Sequence, residues 1–481
     1  MLENVKIKKS IMFVASECNP FCGTGGLADV AGSLPKALAQ TGECDVRVVL
    51  PLYSKVDEKY RKKFHFLGSL NVPLSWRNQY CGVYTYAENN VTFYFLDNEY
   101  YFARANLYGE FDDGERFAFL SKAALEIMPF VDFYPHLIHC HDWQTALASI
   151  YLKTLYATKS KYRDIKSIIT IHNIEYQGRF PHDCLADLFG LPEYCHGILD
   201  FDGNLNLLKG AIELSDRVTT VSNTYANEIK DAFFAHGLQN IIQANSGKLS
   251  GILNGIDDVL YNPALDEKLF ENFNSGSPAG KKVCKSGLQT MLGLPVREDV
   301  PIVSMITRLA GHKGLDLVQG VLEEFLQQDV QVVVLGTGET VYENFFTYLA
   351  SRYEGKMRFV AAFNKDLASK IYSGSDIFLM PSKQEPCGLS QMIACRYGTV
   401  PVVRKTGGLA DSIVDVKNPK GFGYVFENYN AHEMLFAVKQ AVEDYKNKPL
   451  WKKYVKRCMD ADFTWNRSAK TYVEMYDSIL L

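Results

Sequence analysis

The sequence has no apolar run long enough to cross a membrane. A transmembrane helix needs roughly 18 consecutive apolar residues, and the longest apolar runs in this chain of 481 residues end sooner, at charges or prolines. The chain also lacks an excess of basic residues, since 51 lysines and arginines stand against 55 aspartates and glutamates. The sequence therefore predicts a soluble protein with neither nucleic acid nor an anionic membrane as a partner.

The cysteines show no spacing typical of disulfide or zinc-binding motifs. The 11 cysteines are odd in number and scattered, with no CxxC and no Cys/His zinc spacing, as is typical of reduced thiols in a cytosol. Neither disulfides nor structural zinc are predicted. The basic start of the chain precedes an apolar stretch that stops at Glu17 and is too short for a signal sequence. A bacterial cytoplasm is the predicted location.

Apolar, β-rich runs recur along the chain and predict strands that are buried on both faces. Several are separated by amphipathic helical stretches, which is the βαβ pattern of parallel sheets. Because 481 residues exceed what one core usually supports, we expect two domains. The predicted fold class is α/β, with two Rossmann-like, doubly wound domains. The strand candidates are IMFVAS, VRVVLP, VTFYFLD, LIHCHD, SIITIHN, RVTTVS, IVSMIT, VQVVVLG, MRFVAAF, IFLMPS and TVPVVR.

The alternation of strands and helices is interrupted between about residues 254 and 300, where turn-forming residues collect. We place the domain junction there, so that the first domain covers residues 1–254 and the second covers residues 255–460. The last stretch, residues 461–481, has aromatic residues at helical spacing and no strand candidate. It predicts a C-terminal helix that crosses back to the first domain.

One hexapeptide, TGGLAD, occurs twice, at residues 24–29 and 406–411, and each copy follows a strand candidate. Paired glycines between a strand and a helix let the backbone approach a ligand closely, and the start of a helix favours an anion. The alternative is that the glycines only allow close packing. Two copies in corresponding settings favour phosphate binding.

Two basic residues and one acidic residue follow strand candidates in the second half of the chain, where open parallel sheets place their ligands. Arg308 and Lys313 lie five positions apart and could hold one diphosphate; the alternative is an ordinary pair of surface cations. Glu385 could accept hydrogen bonds from sugar hydroxyls, or it could cap the helix that begins near Gly388.

Histidines follow two strand candidates in the first half. His139, His141 and Asp142 lie in HCHDWQ, and His172 and Asn173 lie in TIHNIEYQG. A zinc site is one interpretation, but these spacings lack a compact ligand set and also fit polar contacts to a sugar. No metal is predicted.

Taken together, these segments resemble the family of bacterial glycogen synthases and starch synthases. The resemblance rests on TGGLADVAGSLPKALA, CHDWQ, TIHNIEYQG, DRVTTVS, GILNGID, TRLAGHKGLDL, PSKQEPCGLSQ, RKTGGLAD and DFTW, in the family's order and over essentially the whole chain. It implies a retaining glucosyltransferase of the GT-B fold, in which two Rossmann-like domains face a deep cleft. The first domain would bind the α-1,4-glucan acceptor and the second the nucleotide sugar, which in bacteria is usually ADP-glucose.

The resemblance also implies roles for individual residues. Arg308 and Lys313 would hold the diphosphate, Glu385 would lie beside the transferred glucose, and His172 would contact that sugar. Phe363 stands where relatives often carry tyrosine and would stack on the base. The other positions implied in donor binding are Gly25, Gly26, Asp142, Asn254, Gly336, Thr337, Cys387, Gly388, Leu389, Thr406, Gly407 and Gly408. No metal or other cofactor is expected.

One departure from the family pattern concerns donor binding. Relatives usually carry lysine before the first Thr-Gly-Gly-Leu, and this chain has Gly23 there. The change could weaken donor affinity, alter the choice of nucleotide, or be offset by another cation such as Lys405. It therefore leaves open a UDP-glucose-dependent synthase and a catalytically idle, glucan-binding relative as alternatives. The sequence makes no prediction of oligomeric state.

Overall fold

The computed structural model describes residues 8–480, which divide into two compact units. The first unit contains the described residues up to Gly255 and those from Trp465 onward, and the second unit is Ile256–Thr464. The basic start of the chain, on which the prediction of no export rests, lies mostly outside the described residues. No helix within residues 8–480 combines the length and apolar character that spanning a bilayer requires.

The first unit is built on a nine-stranded sheet with the order β12-β11-β7-β6-β1-β2-β5-β4-β3, and a separate small sheet has the order β8-β10-β9. The strands are β1 (Lys9–Val14), β2 (Cys44–Pro51), β3 (His65–Leu74), β4 (Arg77–Glu88), β5 (Val91–Asp97), β6 (Leu137–His141), β7 (Lys166–Ile171), β8 (Arg179–Phe180), β9 (Asp200–Phe201), β10 (Asn204–Asn206), β11 (Arg217–Thr220) and β12 (Leu249–Gly251).

The helices of the first unit are α1 (Gly26–Gln40), α2 (Glu58–Arg61), α3 (Glu99–Phe102), α4 (Asp113–Phe130), α5 (Asp142–Lys153), α6 (Cys184–Asp187), α7 (His196–Leu199), α8 (Leu207–Leu214), α9 (Asn223–Glu228), α10 (Gln239–Ala244) and, from the end of the chain, α19 (Trp465–Leu480). The last helix packs on α1, and the Tyr476 hydroxyl hydrogen-bonds to Nδ1 of the buried His139 at 2.9 Å. The C-terminal helix is thus part of the core of the first unit.

The second unit has one six-stranded sheet with the order β15-β14-β13-β16-β17-β18. Its strands are β13 (Ile302–Ile306), β14 (Gln331–Leu335), β15 (Met357–Val360), β16 (Ile377–Met380), β17 (Val400–Arg404) and β18 (Tyr424–Phe426). Its helices are α11 (Gly280–Met291), α12 (Leu315–Phe325), α13 (Thr340–Arg352), α14 (Lys365–Gly374), α15 (Ser390–Arg396), α16 (Gly407–Ser412), α17 (Ala431–Lys446) and α18 (Lys448–Asp460).

All five strand pairs in the second sheet are parallel. In chain order its strands stand 3-2-1-4-5-6, the order of dinucleotide-binding Rossmann domains. The chain leaves β13 toward β14 on one side and later returns to β16 on the other. A crevice therefore opens beyond the carboxyl ends of β13 and β16, and this topological switch point is where such sheets bind ligands.

The first unit has its own switch point. The chain runs from β1 to β2 on one side and later to β6 on the other, and both pairings are parallel. Parallel pairing continues from β6 to β12 and from β2 to β5. The residues that follow β1 and β6 therefore lie at the natural binding edge of this sheet.

All eleven strand candidates form strands in these two sheets, so the predicted α/β class with two doubly wound sheets is confirmed. The hairpin of β3 and β4 was missed, and β4 pairs antiparallel to β5. The reason lies in its surroundings, because β3 alternates polar and apolar residues and is mostly exposed. A solvated edge hairpin needs no long apolar run.

Candidate active site

The switch point of the second unit carries two basic side chains. Pairing between β13 and β14 continues beyond the strands, since the Leu309 amide donates to the Thr337 carbonyl at 2.9 Å. This extension carries Arg308 out to the carboxyl edge, where its side chain is exposed and forms no ion pair with any residue between 8 and 480. A short 3-10 turn, Gly311–Lys313, follows. Both cations thus lie between the end of β13 and the start of α12.

Lys313 forms an ion pair with Glu385, which follows β16. Its Nζ lies 2.7 Å from Glu385 Oε2, and the two side chains are only 15% and 8% exposed. The Ser382 hydroxyl donates to the same oxygen at 2.9 Å. The other carboxylate oxygen, Oε1, makes no hydrogen bond to the described part of the chain. Glu385 therefore keeps one oxygen free to accept a hydrogen bond from a ligand.

Close backbone packing explains why this pair forms. The Lys383 amide donates to the His312 carbonyl at 2.9 Å, which joins the two segments. Gly314 has φ +74°, and a Cβ placed there would lie 2.1 Å from the Pro381 carbonyl oxygen. Only glycine fits such a position, because it has no Cβ and adopts left-handed φ without strain.

The first prediction concerns this turn. We expect Gly314→Ala to lower the free energy of unfolding by about 1–3 kcal/mol from backbone strain alone, with a further loss from the contact to Pro381. Gly320→Ala is the matched control: Gly320 is exposed on α12, and an added Cβ would approach no atom closer than 3.6 Å. This variant should gain about 0.5–1 kcal/mol. Urea denaturation compares the two, and equal stabilities would contradict the prediction.

The glycines of the second TGGLAD copy pack closely against backbone, which is the alternative stated for them from the sequence. Gly407 and Gly408 are buried, and a Cβ on them would lie 2.0 and 2.1 Å from the carbonyl oxygens of Glu385 and Cys387. The Gly408 amide donates to the Glu385 carbonyl at 3.1 Å. This amide is therefore engaged within the protein, and the glycine pair packs against the loop that carries Glu385. The role of Thr406, Gly407 and Gly408 in donor binding stays a prediction.

The remaining sequence-predicted positions of the second unit lie at the same edge of its sheet. Cys387, Gly388 and Leu389 lead into α15, and Gly388 has φ +69°. Gly336 is buried against the Thr307 carbonyl, whereas Thr337 is exposed. Phe363 follows β15 and is 85% exposed. An exposed aromatic ring of this kind offers a face on which a base could stack.

In the first unit, the first TGGLAD copy has different surroundings. Gly25 and Gly26 are exposed at the start of the 15-residue helix α1, and a Cβ on either would meet no atom within 4 Å. Neither amide donates a hydrogen bond to any residue between 8 and 480. Free amides at the start of a helix attract an anion.

A network of histidines follows β6 and β7. His141 Nδ1 lies 3.0 Å from His172 Nε2, and the Asp142 carboxylate accepts a hydrogen bond from the His172 amide at 2.7 Å. Asp142 has φ +55°, an uncommon conformation for a non-glycine residue. Strained backbone of this kind clusters at functional sites. The network thus fixes His172, whose Nδ1 makes no hydrogen bond within the described residues.

The hydrogen bonds favour polar contacts over a metal at these histidines. His139 uses both ring nitrogens, one with Tyr476 and the other with the Thr170 hydroxyl at 2.6 Å. His141 Nε2 and, beyond β12, the buried Asn254 Oδ1 have no hydrogen-bond partner among residues 8–480. Buried polar atoms without partners are costly, and these two could be satisfied by a polar ligand.

Burial shifts the pKa values of this network in opposite directions. It lowers the pKa of His139 and of His172 to about 3 and that of His141 well below its usual range. It raises the pKa of Asp142 to about 7. The histidines are therefore neutral at physiological pH.

The second prediction follows from these shifts. Between about pH 6.5 and pH 3 the three histidines bind protons in the unfolded chain but not in the folded one. Folding stability is therefore unaffected by them above about pH 6.5 and falls on acidification. The loss reaches up to about 3 kcal/mol for each histidine near pH 4. Asp142 has the opposite sign, because its folded form keeps a proton up to about pH 7 and so gains stability on acidification.

Asp142→Asn removes this opposing contribution. We therefore expect urea denaturation to show a steeper loss of stability between about pH 7 and pH 5 in the variant than in the original chain. Equal slopes would mean that Asp142 is ionised throughout this range in the folded protein.

Comparison with known proteins gives the family. Residues 10–244 match the family model "Starch synthase catalytic domain", and residues 293–457 match "Glycosyl transferases group 1". The glycogen synthase of Bacillus cereus is 46% identical over 475 residues, covering 98% of this chain and 100% of that protein. That of Alkaliphilus metalliredigens is 47% identical, covering 98% and 99%. The chain belongs to the glycogen and starch synthase family.

A solved structure from this family has the same fold as this chain. The catalytic domain of starch synthase IV from Arabidopsis thaliana, bound to ADP and acarbose, is 32% identical, with a TM-score of 0.91 and coverage of 98% of this chain and 99% of that one. A sucrose-phosphate synthase from Thermosynechococcus elongatus has a TM-score of 0.62 at 16% identity and shares the fold alone. The chain is thus a glucosyltransferase of the synthase family with the two-domain GT-B fold.

The structure gives a physical reason for glycine at position 23, where the family pattern has lysine. A Cβ at this position would lie 2.3 Å from Ala28 Cβ and 3.0 Å from Asn19 Oδ1. A lysine therefore cannot replace Gly23 without a shift of the loop. Lys405, a candidate to compensate, forms an exposed ion pair with Glu427 at 2.6 Å.

The third prediction tests the effect of glycine at position 23 and takes this packing into account. We expect Gly23→Lys to lower the melting temperature, and Gly23→Lys combined with Ala28→Gly to recover part of the loss because the conflicting methyl group is gone. If the missing cation limits donor binding, the double variant should have a donor Michaelis constant about tenfold lower, the size of one charged hydrogen bond. Ala28→Gly alone is the control. An unchanged constant in a folded double variant would show that another cation compensates.

Sequence reasoning missed Glu17, which contacts the loop of the first TGGLAD copy in this synthase. Glu17 is buried after β1, and its Oε2 accepts hydrogen bonds from the Thr24 amide at 2.7 Å and the Thr24 hydroxyl at 2.9 Å. Burial raises the pKa of its carboxyl. Glu17 thus positions the loop that presents Gly25 and Gly26. The available signal was its place three residues beyond a buried strand, at the binding edge of the sheet.

Proposed function

We propose that the protein transfers glucose from ADP-glucose to the non-reducing end of an α-1,4-glucan, with retention of configuration, in the cytoplasm. The observation that carries the proposal is the Lys313–Glu385 ion pair at the switch point of a Rossmann-like sheet. Arg308 lies at the same switch point and has no ion-pair partner among residues 8–480. The nucleotide bound to the Arabidopsis relative is ADP, which supports an adenine nucleotide as donor. The cytoplasmic location is supported by the eleven cysteines, which all lie within residues 8–480 and form no disulfide there.

Arg308 and Lys313 are suited to stabilise the negative charge that develops during the reaction. Breaking the bond between glucose and the diphosphate leaves negative charge on the leaving group. Arg308 offers a forked set of donors that can bind two phosphate oxygens, and Lys313 offers a compact charge held in place by Glu385. Charges placed before the reaction stabilise the leaving group without reorganisation. The proposal therefore requires no metal ion.

Glu385 and His172 are proposed to bind the transferred glucose. Glu385 Oε2 accepts from Lys313 and Ser382, whereas Oε1 has no hydrogen-bond donor within the described part of the chain. Oε1 would therefore accept a hydrogen bond from a sugar hydroxyl. His172 would use Nδ1, because its Nε2 is engaged with His141. A carboxylate paired with lysine is a weak nucleophile, which supports attack by the acceptor hydroxyl on the same face as the departing diphosphate.

The phosphate-binding role of the glycines is proposed for the first copy of TGGLAD. It is supported by the amides of Gly25 and Gly26 at the start of α1, which donate to no residue between 8 and 480. In the second unit, Phe363 is proposed to stack on the base and Thr337 to contact the ribose, because both are exposed beyond neighbouring strands.

The test is transfer of radiolabelled glucose to glycogen from ADP-glucose and, in parallel, from UDP-glucose. We expect transfer to be faster from ADP-glucose than from UDP-glucose, and we expect the Glu385→Ala variant to lose this transfer. A preference for UDP-glucose would overturn the donor assignment and make the change at Gly23 the first place to look for its cause. Absence of transfer from either donor by folded protein would favour an idle, glucan-binding relative.

A further inference from the structure

A cluster of two histidines and an aspartate lies on the surface of the first unit, apart from the residues assigned above. One ring nitrogen each from His182 and His196 and one carboxylate oxygen of Asp200 all lie within 4.8 Å of one another. His196 Nε2 is 3.0 Å from His182 Nδ1. The carboxylate is nearest to the other ring nitrogen of His182, with 3.7 Å between His182 Nε2 and Asp200 Oδ1, and only one of these two nitrogens can bind a given ion. Three potential ligands thus converge from three separate segments.

The small sheet of the first unit fixes these segments. Strand β10 pairs with both β8 and β9, so His182, just beyond β8, and Asp200, the first residue of β9, are held near each other. His196 begins α7, and Lys209 Nζ donates to the carbonyls of Gly197 and Ile198 at 2.9 and 2.8 Å. The backbone that carries the three side chains is therefore positioned without any ligand.

The chemistry of the cluster is that of a transition-metal site. Imidazole nitrogen and carboxylate oxygen are common zinc ligands, and bonds of about 2.05 Å in a tetrahedron place two ligand nitrogens about 3.3 Å apart. The two histidine nitrogens already lie at 3.0 Å. We propose that His182, His196 and Asp200 bind a divalent transition-metal ion of the zinc type, with water completing the coordination.

The exposure of the cluster determines how readily a bound ion would exchange with solvent. The side chains of His182 and Asp200 are 41% and 47% exposed, so they are not locked by packing and the proposed ion would be open to exchange with solvent. Sequence reasoning missed this site because it searched for cysteine patterns and compact histidine spacing. Here the ligands are 14 and 4 positions apart, and only the fold of the small sheet brings them together.

The test is calorimetric titration of chelator-treated, metal-free protein with zinc chloride in a buffer that does not bind zinc. We expect one ion per chain, and a loss of affinity of at least about tenfold in His182→Ala, in His196→Ala and in Asp200→Asn. Magnesium chloride should give no binding heat, because Mg²⁺ prefers oxygen ligands. Zinc should also raise the melting temperature of the original chain but not of His196→Ala, since an ion that binds only the folded state stabilises it.

Two control variants distinguish this site from other zinc-binding groups. His65→Ala removes an exposed histidine on β3, and Cys184→Ser removes the one cysteine that is not buried among the eleven, all of which lie within residues 8–480. Both should bind zinc as the original chain does, and His196→Ala should keep the original rate of glucose transfer. The proposal is overturned if zinc does not bind, if binding survives in all three cluster variants, or if it is lost in Cys184→Ser.

Discussion

Arg308→Ala is expected to lower kcat for glucose transfer by two to three orders of magnitude while the fold stays intact. Removing one preorganised charge contact from a transition state commonly costs about 3–4 kcal/mol, which corresponds to this factor. The fold should tolerate the change because the Arg308 side chain is exposed and has no ion-pair partner among residues 8–480. Initial rates at saturating donor and glycogen measure the effect, and the melting temperature verifies the fold.

The chain offers a matched control for this variant. Arg352 lies on α13 of the same unit, is 52% exposed and pairs with Glu323 at 2.9 Å. Because exposed ion pairs contribute little to stability, Arg352→Ala should change neither the rate nor the melting temperature appreciably. If Arg308→Ala retained near-normal kcat, the leaving diphosphate would have to be stabilised elsewhere, and the assignment of Arg308 would be wrong.

Lys313→Ala is expected to affect both stability and turnover. It leaves Glu385 buried beside Ser382 without its cation, and breaking a buried ion pair in this way costs about 3–5 kcal/mol. In a unit of this size each kcal/mol shifts the melting temperature by about 2–4 °C. Turnover should fall by at least about a hundredfold, because the cation proposed for the diphosphate is gone.

A double variant separates the two effects. Lys313→Ala combined with Glu385→Ala removes both charges, and replacing a whole buried pair is often close to neutral for stability. We therefore expect the double variant to recover most of the melting temperature and none of the activity. Recovery of activity together with stability would show that Lys313 acts only by holding the fold. A stable but inactive double variant would support a direct role in the reaction.

Much of the fold could be read from the sequence because buried parallel strands are nearly continuous apolar runs. VTFYFLD corresponds to β5 from Val91 to Asp97, residue for residue, and the other ten candidates overlap observed strands. The edge hairpin of β3 and β4 could not be found in this way, since its exposed face carries polar residues. Solvated strands leave a weaker sequence signal than buried ones.

The positions of the charged candidate residues could also be predicted from the sequence. The carboxyl ends of parallel strands are where ligands bind, so Arg308 after β13 and Glu385 after β16 could be singled out before the fold was known. The ion pair between Lys313 and Glu385 could not. It depends on β13 and β16 being neighbours in the sheet although 72 positions separate the two residues in the chain.

The two copies of TGGLAD show most directly what tertiary structure adds. The sequence by itself determined that each copy starts a helix after a strand or strand-end loop, because glycine pairs and the following apolar residues have the same local preferences in both places. Only the tertiary structure decided that Gly25 and Gly26 stay open to solvent while Gly407 and Gly408 pack against the Glu385 loop. The same distinction applies to His182, His196 and Asp200, whose convergence depends on strand pairing. Local sequence sets backbone conformation, but what each backbone amide or side chain faces is set by contacts between residues distant in the chain.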